Sequence, residues 1–169
     1  MGIKHFFFWY KKNFNNSITS LVKNQQIDKP IDTLLLDLNG IFHNSAQKIF
    51  KYGGFAEPKR LMGKPKLVVN DKETRERLYQ DVCDAIDHLV YVSKPRKRIF
   101  LGIDGPAPIG KQNQQRQRRF RAASESRGGE VFDSNCITPG TEFMHDLGVY
   151  LNNHIRNKVA TDDAWKGRD

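Results

Sequence analysis

Cysteine is scarce in this sequence. Cys83 and Cys136 are the two in 169 residues; their spacing matches no metal-ligand pattern and asks for no oxidising compartment. Cys83 falls within a helical pattern and is expected to be a reduced core thiol. Long apolar runs are also lacking. The block Phe6–Tyr10 is too short for a signal-peptide core or a membrane span. Met1-Gly2 is followed by Phe6, where a myristoylation signal needs Ser or Thr. Internal repeats are not found. Acids are few from Lys94 to Arg127, where only Asp104 and Glu125 interrupt the Lys and Arg residues.

What is present is positive charge. Lys and Arg exceed Asp and Glu by nine, and the sequence pI is about 9.6. A local cationic field of this kind suits a polyanion, most simply nucleic acid. An anionic membrane surface is a weaker match, because no long amphipathic or apolar helix accompanies the charge. A soluble, intracellular chain of one domain's length, or a piece of a larger domain, is expected.

Residues 2–14 read as a short helix with Ile3, Phe6, Phe7, Tyr10 and Phe14 on one side, docked on a core. Residues 15–30 read as a second short helix and a loop. Thr33–Leu38 is an apolar run closed by the turn pair Asn39-Gly40, which fits a strand buried on both faces. Residues 44–69, rich in Gly and Pro, read as a long excursion with a hairpin near 66–69. Asn70 and Glu73 form a capping box for a helix over 72–93, with apolar residues at 78, 82, 85, 86 and 89. The basic stretch KPRKR after it fits a polar loop better than a nuclear-import patch. A second strand, residues 99–104, follows. Strand, helix, strand, helix predicts parallel strands in an α/β fold. Gly128-Gly129 ends the next helix, and residues 131–136 read as a loop or short strand. Thr138 is a candidate N-cap with Pro139 at the first helical position. A last helix carries Phe143, Leu147, Tyr150, Leu151 and Ile155.

The stretch Ile99–Ala123 concentrates the chemistry. Its strand ends in Asp104, a Gly/Pro turn follows, and Lys111, Gln115, Arg118 and Arg119 then recur at i, i+4, i+7 and i+8. At roughly 100° per residue those four share a helical face. Arg forks and a Lys charge near a helix start favour phosphate, and a carboxylate at a strand end favours a hard cation. The same spacing also fits a solvated basic face. Ligands of open α/β sheets collect beyond the carboxyl ends of strands. Asp37 and Asp104 are therefore expected side by side on that edge, with the Lys111 helix starting from it. Arg116 and Arg121 lie off the stripe, Glu142 suits the start of a helix, and Asp133 has no assigned role.

Several stretches resemble one family in its own order: MGI and FFFW at the start, LLLDLNGIFHN, FLGIDGPAP with NQQR and RRFR after it, and FDSNCITPGTEFM. Together they are similar to the amino-terminal conserved region of the XRN 5′→3′ exoribonucleases, and cover most of the chain. Lys4-His5 departs from the family's usual Pro-Lys-like pair. The resemblance implies a partial PIN/flap-endonuclease-like domain, α/β with a central parallel sheet and flanking helices. On that basis residues 1–169 form the amino-terminal part of a nuclease domain, with 44–69 a variable excursion and 161–169 a truncated end. It implies metal-dependent hydrolysis of single-stranded RNA from a 5′-monophosphate end, with Mg²⁺ or Mn²⁺. Asp37 and Asp104 match metal-binding, catalytic carboxylates; Lys111, Gln115, Arg118 and Arg119 match a 5′-phosphate pocket; His43 matches a residue that stacks on the terminal base. The family's later Glu-rich metal motif and further Asp ligands have no counterpart here. The chain is therefore expected to be the front half of a split or truncated nuclease, inactive alone, with a second polypeptide carrying the rest of the nuclease as one way of completing its site. A cytoplasmic setting is preferred, with the nucleus open. The rival readings are a flap-type DNA nuclease and a non-catalytic module that binds RNA 5′ ends.

Overall fold

A computed structural model describes residues 3–18, 20–21, 25–55, 70–125 and 132–167. Two strands, β1 (Thr33–Asp37) and β2 (Arg98–Gly102), pair in parallel with Asp37 opposite Gly102. The helices are α1 (Phe6–Asn13), α2 (Asn39–Phe50), α3 (Lys72–Ser93), α4 (Ile109–Glu125) and α5 (Glu142–Thr161). This is the expected α/β class, a parallel sheet flanked by helices.

The core lies where α2, α3 and α5 meet one face of the sheet. Helix α3 buries Leu78, Val82, Ile86 and Val90 at 3–4 spacing, and α5 buries Phe143, Leu147 and Leu151 in the same way. Leu38, Phe42, Ala46 and Phe50 complete the cluster from the strand end and α2. Phe50 stacks on Phe132 at 4.2 Å between centroids, which draws the segment after α4 onto α2. Trp165 is buried and anchors the turn after α5. Polar ties fix the layers. The Lys158 ammonium on α5 meets Asp87 of α3 at 2.9 Å, and the Tyr150 hydroxyl donates to Gln80 at 2.8 Å. Arg96 and Lys97, in the loop before β2, both pair with Asp32 just before β1. That loop thus clamps the starting ends of both strands, which sets the register at their far ends.

Several expectations need correction. The sheet is not buried on both faces. Leu34, Leu36, Ile99 and Leu101 pack against the helices, whereas Leu35 and Phe100 are 69% and 58% exposed on the other side. Apolar residues in a parallel strand ask for two cover layers, and only one is found among the described residues. Among the described residues the aromatic α1 is not docked: Phe7, Phe8 and Trp9 are exposed, and its ring contacts stay within residues 6–14. Asn39-Gly40 is not a turn but the opening of α2, which carries residues 44–50 of the supposed excursion. The hairpin near 66–69 and the Gly128-Gly129 break lie outside the described residues. Residues 15–17 form a single 3-10 turn in place of the second helix, and residues 134–136 form another.

Both expected caps shift. Asp71 caps α3, its carboxylate accepting from the Thr74 amide at 2.8 Å. Thr141 caps α5, accepting from the Met144 amide while its hydroxyl is held by the Cys136 and Thr138 carbonyls. In each case the neighbour one or three residues along is the better-placed short oxygen side chain. Lys94 closes α3 in the left-handed region at φ 44°, ahead of buried Pro95. Cys83 is buried and free, and burial pushes its thiol up to about 12.

Candidate active site

The parallel register brings the two strand ends to the same edge. Asp37 is the last residue of β1, and Asp104 lies two residues past its partner Gly102. Asn39 joins them. Its amide donates to the Asp37 carboxylate at 3.2 Å, and its side-chain oxygen accepts from the Asp104 amide at 2.9 Å. The backbone bond from the Leu38 amide to the Gly102 carbonyl, 2.9 Å, extends the pairing up to this point. Asp37 and Asp104 line one cleft, whose walls are Leu35, Phe100 and Ile103 from the open face of the sheet. Both carboxylates are exposed, and neither is ion-paired among the described residues.

Asp104 also borders a second cavity, of about 350 Å³, and here the cationic helix enters. Pro108 starts α4, its carbonyl accepting from the Lys111 and Gln112 amides. From that start the 3.6-residue period turns Lys111, Gln115, Arg118 and Arg119 into the cavity. His43 faces it from α2, and Asn135 and Thr138 close its far wall. Asp133 holds that wall by accepting from the Asn135 amide at 2.9 Å. Arg116 lines an adjoining cavity shared with Gln115 and Arg119. The cavity therefore joins a donor-rich cationic wall, a half-buried imidazole and one edge carboxylate. That set suits a dianionic phosphate, with an imidazole beside it on which a flat ring could stack.

His43 is held below its ordinary value of 6.5, first by burial and then by the positive charge of Arg118. On acidification the unfolded chain takes up this proton first. The neutral ring's contribution to stability is complete above about pH 6.5. It is lost as pH falls from there through the lower folded-state value. His43→Gln is expected to flatten that part of the stability-pH curve, measured by urea unfolding between pH 5 and 7.5. An unchanged slope would show that other groups carry it.

All seven residues singled out in the sequence lie at this edge: Asp104, Lys111, Gln115, Arg118, Arg119 and His43 around one cavity, Asp37 in the cleft next to it. Asn39 was not among them. Its signal is the Asp37-x-Asn39 spacing at a strand end, an Asx arrangement that in sequence is indistinguishable from a turn. Asn135 is visible in the sequence only as part of the FDSNCITPGTEFM stretch, and Thr138 only there and as a candidate helix cap.

For a hard divalent cation, Asp37 and Asp104 offer exposed carboxylate oxygens on one cleft, which fits one ion with water completing its shell. Two such ions want about six oxygens each, and no group of three or more acid, His or Cys ligands occurs among the described residues. No helix among them is long and apolar enough to cross a membrane.

A family model described as the XRN 5′-3′ exonuclease N-terminus matches residues 1–169. The chain is similar to 5′-3′ exoribonuclease 1 of Homo sapiens, 33% identical over 186 aligned residues, covering 99% of this chain and 10% of that protein. It is similar to 5′-3′ exoribonuclease 1 of Saccharomyces cerevisiae at 36% identity, covering 98% of this chain and 11% of that protein. It is also similar to a 5′-3′ exoribonuclease 2 homolog of Drosophila melanogaster at 32% identity, covering 99% and 21%. The chain thus spans between a tenth and about a fifth of the length of these relatives.

Proposed function

Because this chain belongs to the family of the XRN 5′-3′ exonuclease N-terminus, we propose that it is the part of a 5′-3′ exoribonuclease that recognises the 5′-monophosphate of single-stranded RNA. The observation that carries this reading is the single cavity lined by Lys111, Gln115, Arg118, Arg119 and His43, open to Asp104. Arg118 and Arg119 would fork onto the phosphate oxygens, Lys111 would add a point charge, and Gln115 would donate an amide hydrogen. His43, kept neutral, would stack on the terminal base and spare the pocket a further buried charge. A cap or triphosphate would be too bulky for a pocket that closes around a terminal monophosphate, and this would set the end specificity.

Asp37 and Asp104 would hold a Mg²⁺ or Mn²⁺ ion, which supplies a polarised water and neutralises charge at the scissile phosphate. The chain's own contribution is to hold the Asp37 carboxylate and the Asp104 backbone together through Asn39, and to hold the RNA end at a fixed distance from that edge. A two-ion site needs more acids than this edge carries, so the 169-residue chain by itself is a 5′-end-binding module. The remaining acids and an aromatic partner for His43 would come from outside these 169 residues, on the same or another polypeptide. The exposed Leu35, Phe100 and Ile103 beside Asp37 would offer that part of the nuclease an apolar seat.

The test is fluorescence anisotropy with one RNA oligonucleotide bearing a 5′-monophosphate, a 5′-hydroxyl or a 5′-triphosphate, in EDTA and then in Mg²⁺. The 5′-monophosphate form is expected to bind at least about tenfold tighter, from one or two charge-assisted hydrogen bonds. No mononucleotide should appear on adding metal. Equal affinity for all three ends would end the 5′-phosphate reading, and mononucleotide release would end the reading of the chain as a binding module alone. Cleavage of a DNA flap in preference to RNA would favour the structure-specific DNA nuclease.

A further inference from the structure

We propose that Asn39 is a further RNA-binding residue: its side-chain Nδ2 donates to an unesterified oxygen of the first internucleotide phosphate, the bond next to Asp37 and Asp104. The inference rests on the cavity being a 5′-phosphate pocket, and it says where the strand runs from there. Asn39 is hydrogen-bonded to both Asp37 and Asp104, and it also lines the cationic cavity. Those two bonds use its backbone amide and its Oδ1. The Asp104 amide can only donate, so Oδ1 must face it and Nδ2 is left as the free end of the side chain. Among the described residues nothing accepts from Nδ2, and it is not one of the enclosed polar atoms. A ligand can therefore reach this donor.

Position and charge select the ligand. His43 follows Asn39 by one turn, about 6 Å along α2, and both line the cavity. With the terminal base on His43 and the terminal phosphate on α4, the strand reaches the acids past Asn39. The next anionic oxygens it brings are those of the first phosphodiester. Space is left for it: Gly40 and Gly105 line the same cavity, and a Cβ at either would meet no heavy atom within 4 Å. A sugar-phosphate backbone can thus come close to the main chain there. A Lys or Arg in place of Asn39 would be held by the neighbouring carboxylates and would compete with a cation for them. A neutral amide does neither, and still supplies one hydrogen bond to the phosphate.

The test uses the full chain in EDTA with a short 5′-monophosphorylated RNA. Its first linkage is a phosphodiester or either diastereomer of a methylphosphonate, in which a methyl replaces one or the other free oxygen. Both diastereomers lose the same charge, so the contrast between them reads a single hydrogen bond. One should bind the unmodified chain about tenfold more weakly than the other. Asn39→Ala should abolish the contrast. So should Asn39→Asp, which keeps an acceptor for the Asp104 amide and loses only the donor; a purely structural Asn39 would leave the contrast in place there. Should the variants fail to fold, the Asn39 side-chain NH2 signals of the unmodified chain decide. They should shift with the phosphodiester and the tighter diastereomer, and not with the weaker one. No contrast in the unmodified chain, an equal contrast in all three chains, or unmoved NH2 signals would overturn the proposal. The 5′-hydroxyl form of the same RNA reads the terminal pocket separately: preference for the 5′-monophosphate without any contrast removes the role of Asn39 and leaves the pocket standing, whereas a contrast without that preference removes the pocket and keeps the Asn39 bond.

Discussion

Arg118→Ala is expected to weaken binding of 5′-monophosphorylated RNA by about ten- to a hundredfold, the range of one charge-assisted, forked hydrogen bond to a dianion. It should leave the 5′-hydroxyl form nearly unchanged. The selectivity follows from position. Arg118 lines the cavity with Lys111, Gln115, Arg119 and His43, so it would meet the end of the strand and not its length. A surface arginine that only adds to the cationic field would weaken both RNAs alike and lower the salt slope of each by about one. Arg118→Lys keeps the charge and loses the fork, so it should lie between wild type and alanine. A second signal is independent of RNA. Arg118 is one of the two causes that depress His43, so in Arg118→Ala the imidazole should titrate closer to 6.5, read by NMR. Equal losses for both RNA ends, with His43 unmoved, would mean that the side chain points into solvent and that the cationic stripe is a solvated face.

That stripe was legible because helical period is arithmetic. Once a helix is granted from residue 109, residues 111, 115, 118 and 119 must share a side. The edge pairing of Asp37 with Asp104 was legible for a similar reason, since a strand-helix-strand order leaves little choice but parallel strands with their carboxyl ends together. The limits of α3, 72–93, are legible from its apolar spacing together with the capping signal before it and the KPRKR stretch after it, and the structure has the same limits. What hydrophobicity could not tell was which apolar side chains find a cover. Leu34 and Leu35 are the same residue type in the same strand, yet one packs on the core and the other is exposed. The aromatic α1 misled in the same way. Its rings satisfy one another, Phe6 with Trp9 at 5.8 Å and Tyr10 with Phe14 at 5.2 Å, with no core beneath them among the described residues. The caps are not legible because two eligible oxygen side chains stand within three residues of each other, and sequence gives no φ/ψ to choose between them. Asn39 is masked in the sequence by the Gly that follows it, which makes the pair look like a turn. The bond from Asp104 back to Asn39 spans 65 residues, and no local pattern announces it.

Phe42→Ala is expected to destabilise the chain by about 3–5 kcal/mol, the usual cost of emptying a fully buried aromatic site. Phe42 is completely enclosed, in one cluster with Leu38, Leu78, Val82, Ile86 and Leu147. It stands where α2 leaves the strand edge, so no loop can collapse into the space left behind. Domains of this size hold about 5–15 kcal/mol in total, so the variant should lose a large part of its stability, with a lower urea midpoint and an unchanged m-value. The next residue gives the contrast. His43 is turned about 100° around the same helix and faces the cavity. His43→Ala should therefore cost far less stability at pH 7 while weakening 5′-monophosphate RNA. The pair separates two roles carried by adjacent residues. Phe42 fixes the angle at which α2 departs, and that angle sets where Asn39 meets Asp104 and where His43 faces Arg118. A Phe42→Ala chain that unfolds at the wild-type midpoint would mean that α2 is not packed in the core, and the cavity built on its other face would lose its foundation.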